Sequence, residues 1–248
     1  MRGQTDLAVQ YYLSVARSQN NPDIAERAVR IAVYGQNLDA ATDAAQRWVE
    51  LAPDQVEARQ TIVAIYIRQD KAEKAFQYLD DIIDTSEMSE TKLFGSVLTV
   101  LAREKNVTTV LAVTRRIAQK HPERAYAQFL HGMLAAHGDQ SLEALEYLDR
   151  ALVIQDIEGA HNARANLLLK LDRREEAVIS LHKAVLARPD NQKLRLTYAR
   201  LLVDVNQYEK ARVEFEILHR ASPQDADLLY SLGLLSLESQ RLDDAEKY

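Results

Sequence analysis

The sequence predicts an all-α solenoid of stacked antiparallel helix pairs. Two residue ladders and a composition poor in turn-formers carry that prediction. Ala8, Ala41, Ala75, Ala144, Ala177, Ala211 and Ala245 recur on one period, with Val110 on the rung between Ala75 and Ala144. The steps are 33, 34, 35, 34, 33, 34 and 34 residues, the spacing of a repeated helical unit. Pro53, Pro122, Pro189 and Pro223 each follow a rung by 12 residues, where a proline cannot continue a helix and closes one unit. Glu87 and Asp156 hold that place in the other two units, and Pro22 opens a helix, where a missing N–H costs nothing. Only 7 glycines and 5 prolines in 248 residues argue against a loop-rich or all-β chain.

The ladders divide the chain as follows. Residues 1–20 supply the second helix of a partial unit, with Asp6, Leu7, Ala8, Tyr11 and Tyr12 as its expected inner face. Six units follow at 22–55, 56–90, 91–124, 125–157, 158–191 and 192–225, and residues 226–248 begin a seventh. Each unit reads as a first helix (A) and a second (B) joined by a short polar turn. In 125–157, Leu142, Leu145, Leu148, Ala151 and Leu152 give the expected inner stripe of the B helix. Gly132, Ala165, Ala199 and Gly233 keep the A helix small where it should meet the B helix. The stretch 89–122 departs most, with Ser96, Val97, Leu98 and Val110 in place of small residues. Looser packing or a changed pitch is expected there. Neither end shows a polar cap, so the sequence reads as a piece of a longer repeat protein.

Composition excludes several functions. A net charge of −6 gives no basic footprint for nucleic acid. No apolar run approaches the roughly 18 residues of a membrane-spanning helix, and residues 1–3 run into polar helix without a signal peptide. No cysteine is present, which removes disulfides and thiolate chemistry. His131 and His137 stand six apart, off the i, i+4 spacing of a helical metal pair, while His121 and His219 fall in last helical turns. No phosphate-cradling or nucleophile-elbow motif occurs, and carboxylates such as Glu175, Glu176, Asp243 and Asp244 suit helix starts and solubility. The sequence therefore predicts no catalytic residue, no cofactor and no metal site.

The units resemble tetratricopeptide repeats. In 192–225 the matching residues are Tyr198, Ala199, Leu202, Tyr208, Ala211, Phe215 and Pro223; in 158–191 they are Ala165, Leu168, Ala177, Leu181, Ala184 and Pro189. The resemblance implies a right-handed superhelix whose A helices line a concave groove that binds protein or peptide. Transferred to this chain, that geometry directs Glu26, Arg30, Tyr34, Gln60 and Arg68 into the groove. Tyr126, Phe129 and Met133 follow, and then Asn162, Asn166, Lys193, Arg200 and Tyr230. The Tyr126, Phe129 and Met133 trio reads either as a peptide anchor or as packing between neighbouring A helices. Some family members grip a terminal carboxylate with lysine, arginine and asparagine; Asn162, Asn166, Lys193 and Arg200 match that set in part, with Thr197 where a cation would stand. Trp48 reads as a packing residue.

A narrower resemblance covers the first fifty residues. Residues 8–13 (AVQYYL), 22–32 (PDIAERAVRIA) and 45–54 (AQRWVELAPD) are similar to proteobacterial tetratricopeptide lipoproteins anchored to the outer membrane. That resemblance implies a periplasmic location, an anchoring cysteine upstream of Met1, and an adaptor role. The implied partners are a carboxyl-terminal processing protease and cell-wall hydrolases. The rival expectations are a pilus or polysaccharide-export assembly component, and the non-catalytic arm of a larger enzyme; a cytoplasmic location is the alternative address.

Overall fold

The structure is a computed structural model that describes residues 2–239 and 241–248, apart from the side chains of residues 2–6, 243, 244 and 247. Asp6, Asp243 and Asp244, named above, therefore lie outside the described side chains. Fifteen helices and no strand occur among the described residues. The first is α1 (Arg2–Ser18). Pairs then run α2 (Pro22–Tyr34) with α3 (Leu38–Leu51), α4 (Val56–Arg68) with α5 (Ala72–Thr85), and α6 (Glu90–Leu101) with α7 (Val107–Lys120). They continue as α8 (Ala125–His137) with α9 (Ser141–Ile154), α10 (Glu158–Lys170) with α11 (Arg174–Ala187), α12 (Gln192–Asp204) with α13 (Tyr208–Ala221), and α14 (Ala226–Glu238) with α15 (Leu242–Lys247). The chain forms an all-α repeat solenoid in two compact units, 1–147 and 148–248.

The alanine ladder is the point of closest packing. Ala41, Ala75, Ala144, Ala177 and Ala211 are 0 % exposed, and Val110 is buried with them. A small side chain early in each B helix lets the neighbouring backbone approach, so the apolar stripes on both sides leave water together. Turn lengths explain the ladder's uneven steps. The usual A-to-B turn has three residues and the usual B-to-A turn has four. The two 33-residue steps arise where the B-to-A turn is one residue short, at 19–21 and 155–157.

The three-residue turns share one geometry. Gln36, Asp70, Asp139, Asp172 and Asn206 take φ between 56° and 60°, the left-handed region that Asp and Asn tolerate best after glycine. The next amide then bonds back into the A helix, as Lys71 N–H does to Tyr66 O at 2.8 Å and Gln140 N–H to Ala135 O at 2.8 Å. After α6 the turn is different. It spans 102–106, contains no left-handed residue, and continues as single turns from Arg103 to Val100 O and from Glu104 to Leu101 O. That lengthening, less one residue lost from α6, is the 35-residue step.

Two expectations are corrected. In α1 the inner face is Val9, Tyr12, Leu13 and Ala16, spaced i, i+3, i+4, i+7, while Leu7 and Tyr11 are exposed. On α9 Leu142 is exposed, and the stripe is Ala144, Leu145, Leu148 and Ala151. In the 89–122 stretch Leu93, Phe94, Val97, Leu101 and Val110 are buried, yet α6 packs against α8 and α4 more than against its own partner α7, so the expected departure from regular pair packing is found there. Trp48 is a packing residue, buried, with its indole N–H donating to Gln55 Oε1 at 2.8 Å.

A side chain at Gly138, closing α8, would have to displace side chains of α7. A Cβ there would sit 2.8 Å from Val107 Cγ1 and 3.3 Å from Leu111 Cδ1 of α7. Gly95, inside α6, faces open space. Gly138→Ala is expected to lower stability by about 1–3 kcal/mol through overpacking. Gly95→Ala is expected to raise it by about 0.5–1 kcal/mol through helix propensity. Urea unfolding of the two variants beside the parent checks both signs, and equal midpoints would refute the close approach at Gly138.

Candidate partner-binding faces

In unit 1 the A helices α2, α4, α6 and α8 carry the residues that the sequence assigns to a groove. Val29, Arg30 and Val33 of α2, Thr61, Ala64, Ile65 and Arg68 of α4, Val100 of α6, and Arg103 and Glu104 of the turn after it line a cleft of about 290 Å³. Its floor is aliphatic and its rim charged. Most of that charge is already neutralised. Arg30 pairs with Glu26 one helical turn away. Arg68 forms a two-pronged bond to Glu104, Nε to Oε2 and Nη2 to Oε1, both at 2.8 Å. Glu104 is buried, and its carboxylate raises the Arg68 guanidinium above its ordinary pKa through the hydrogen bond. Arg103 makes no ion pair among the described residues. The two-pronged bond exists because the long 102–106 turn folds Glu104 inward.

Gln60 is buried and is not offered to a ligand: its amide donates to Ser96 Oγ at 2.7 Å, tying α4 to α6. Tyr34, by contrast, is 86 % exposed at the end of α2. The trio on α8 is half-buried. Tyr126 stacks on Phe94 of α6 with ring centres 6.1 Å apart and meets Phe129 edge-on at 6.3 Å. Thr91 Oγ1 donates to the Tyr126 hydroxyl at 2.8 Å. These aromatics therefore join two A helices and still present an edge to solvent.

The opposite face of α8 is held by buried polar groups. Gln128 donates to Ala118 O at 2.7 Å and to His121 O at 3.2 Å, satisfying carbonyls at the end of α7. His131, fully buried, lies between Thr114 Oγ1 at 2.9 Å from Nδ1 and Glu143 Oε1 at 3.0 Å from Nε2. A carboxylate only accepts, so Nε2 carries the proton that faces Glu143. Arg115 grips the same carboxylate with two bonds of 2.6 and 2.8 Å. The Arg115 bonds, aided by His131 and opposed by burial, lower Glu143 to about 2. This cluster fixes the roll of α8 and hence the direction of Tyr126, Phe129 and Met133.

Unit 2 presents a different A-helix face. Asn162 and Asn166 lie one turn apart on α10; Asn166 is exposed, and the Asn162 Oδ1 is buried without a hydrogen-bond partner. Lys193 and Arg200 on α12 are exposed and make no ion pair among the described residues. Thr197, between them, turns its hydroxyl back to Lys193 O at 3.1 Å. Tyr230 on α14 is 69 % exposed, and Leu234 and Leu237 extend its stripe. The cations on this face are available, whereas those of unit 1 are mostly spent on neighbouring carboxylates.

Fold and faces together define a helical-repeat protein built from two-helix units. Tetratricopeptide-repeat family models match residues 159–191 and 196–248, so those residues carry tetratricopeptide repeats. It is 28 % identical over 201 residues to the TPR repeat-containing protein PA4667 of Pseudomonas aeruginosa, covering 80 % of this chain and 33 % of that protein. The chain thus spans about a third of the length of that relative. Among solved structures, YrrB, described as a TPR protein with an unusual peptide-binding site, aligns with TM-score 0.50 and 18 % identity, over 69 % of this chain and 87 % of YrrB. A MamA RS-1 double mutant aligns with TM-score 0.51 and 16 % identity, over 65 % and 92 %. These likenesses are of fold.

The Glu143 cluster makes a pH prediction. Its carboxyl is depressed in the folded state, so its contribution is present above the unfolded value of roughly 4.3 and is lost as pH falls toward 2. Glu143→Gln is expected to cost on the order of 2–3 kcal/mol at neutral pH and to flatten the fall in stability between about pH 5 and 2. Urea titrations across that range test this, and parallel curves for variant and parent would refute it.

Proposed function

We propose that the chain is a non-catalytic scaffold that holds an extended segment of a partner protein on its A-helix faces. The observation that carries this reading is the face of unit 2, where Lys193 and Arg200 stand unpaired near the exposed Asn166 amide, with Tyr230 exposed on α14. Amides suit the backbone of an extended peptide, cations its acidic groups, and a tyrosine offers a broad contact with few rotors to freeze. The cleft of unit 1 adds an aliphatic floor for an apolar side chain. YrrB, described as having a peptide-binding site, shares the fold, which supports a peptide-holding role.

The fuller reading places this chain in a periplasmic lipoprotein anchored at the outer membrane. There it serves as an adaptor that presents cell-wall hydrolases to a carboxyl-terminal processing protease. Its support is the resemblance of residues 8–54 to such lipoproteins, together with the similarity to a longer repeat protein of Pseudomonas aeruginosa. No described helix is long and apolar enough to cross a membrane, so an anchor of this kind would lie in a separate lipid-bearing segment.

Affinity capture from a periplasmic extract tests both levels. The bait is compared with a Lys193→Glu, Arg200→Glu, Tyr230→Ala variant, whose three sites are exposed and leave the core untouched. A Tyr126→Ala, Phe129→Ala, Met133→Ala variant tests unit 1, with circular dichroism to register any loss of the Phe94 stack. Recovery of a protease or hydrolase by the parent, reduced at least about tenfold in the unit 2 variant, is the expected result. Equal recovery by all three baits would move the contact off the A-helix faces. Recovery of pilus or export subunits alone would replace the adaptor role with an assembly role.

A further inference from the structure

Asp80 and Asp84 lie one helical turn apart on α5, and His121 caps the end of α7 against them. One ligand atom from each falls within 4.8 Å of the other two. The His121 ring is 8 % exposed and directs Nε2 to Asp80 Oδ1 at 2.9 Å and toward Asp84 Oδ1 at 3.9 Å. We propose that Asp80, Asp84 and His121 form a binding site for a divalent transition-metal ion of the zinc class.

The two carboxylates use their edges differently. Their Oδ1 atoms face the imidazole, while their Oδ2 atoms face the Lys120 ammonium, which contacts Asp80 and lies 3.7 Å from Asp84. A metal ion held by Nε2 and the two Oδ1 atoms would leave the Lys120 side in place as an outer support. Ligating carboxylates are ordinarily hydrogen-bonded in that way. One imidazole and two carboxylate oxygens suit zinc better than magnesium, which prefers an all-oxygen octahedron and keeps its water. Three protein ligands, with Asp84 half-exposed, leave the outward position open to water.

Electrostatics sets the strength. Arg124 Nη2 lies 4.0 Å from Asp84, and its Nη1 lies 3.9 Å from Glu90, so two cations and three carboxylates surround the site. Burial would raise the Asp80 carboxyl, yet the hydrogen bonds from Lys120 and His121 hold it below its ordinary value, so it is ionised at neutral pH. Sequence spacing hid this set, because 37 residues and a whole A helix separate Asp84 from His121.

Isothermal calorimetry with Zn²⁺ alone on the metal-free chain is the test. One equivalent is expected to bind, with a matching rise in thermal midpoint. Asp84→Asn and His121→Ala are each expected to weaken binding at least about tenfold and to remove that rise. Asp84→Asn leaves the His121–Asp80 bond intact, so it answers the question even if His121→Ala unfolds. No binding by the parent, or binding unchanged in Asp84→Asn, would overturn the site.

Discussion

Every larger feature of this chain depends on one steric allowance, the small residue early in each B helix. Ala41, Ala75, Ala144, Ala177 and Ala211 are all fully buried there. A single helix pair cannot bury both of its stripes, so each unit is stable only against its neighbours. The ladder meets that demand at the same depth in every unit. Variation is then pushed into the turns, where a residue gained or lost leaves the rungs in contact. Val110 is the one larger rung among the buried ones, and it stands in the unit with the altered A-to-B turn.

That altered turn connects the repeat geometry to the binding face. In the three-residue turns a left-handed Asp, Asn or Gln reverses the chain and keeps the next polar residue outside. The five-residue turn lets Glu104 fold under the end of α6, where Arg68 meets it with two hydrogen bonds. Leaving that carboxylate buried without its partner would be costly, so Arg68 is committed to the fold. A groove residue has become a structural one through two extra residues of chain.

The sequence made the helices, their pairing and the alanine ladder legible, because period and small-residue spacing depend only on neighbours along the chain. It also made Tyr34, Lys193, Arg200 and Tyr230 legible as exposed, since each lies off the buried stripe of its helix. The faces of α1 and α9 were misjudged by a fraction of a turn, as Tyr11 and Leu142 show; hydrophobicity alone does not tell a buried leucine from one at the stripe's edge. Gln60 was misjudged for a different reason, and the ion pair of Arg68, which does line the cleft, was not foreseen. Their partners, Ser96 and Glu104, each lie 36 residues away, and no local pattern reports a hydrogen bond across a whole unit.

These pairings shape what each face can do for a partner. In unit 1 an incoming acidic group would compete with Glu26 and Glu104 for Arg30 and Arg68, giving up one hydrogen-bonded pair to gain another. The net gain from such an exchange is small, so in the proposed role recognition there would come from the aliphatic floor and from Arg103, which makes no ion pair among the described residues. In unit 2 Lys193 and Arg200 give up only hydration, and a partner's carboxylate gains attraction that salt screens. Under the proposed role the first face would select mainly by shape and the second mainly by charge.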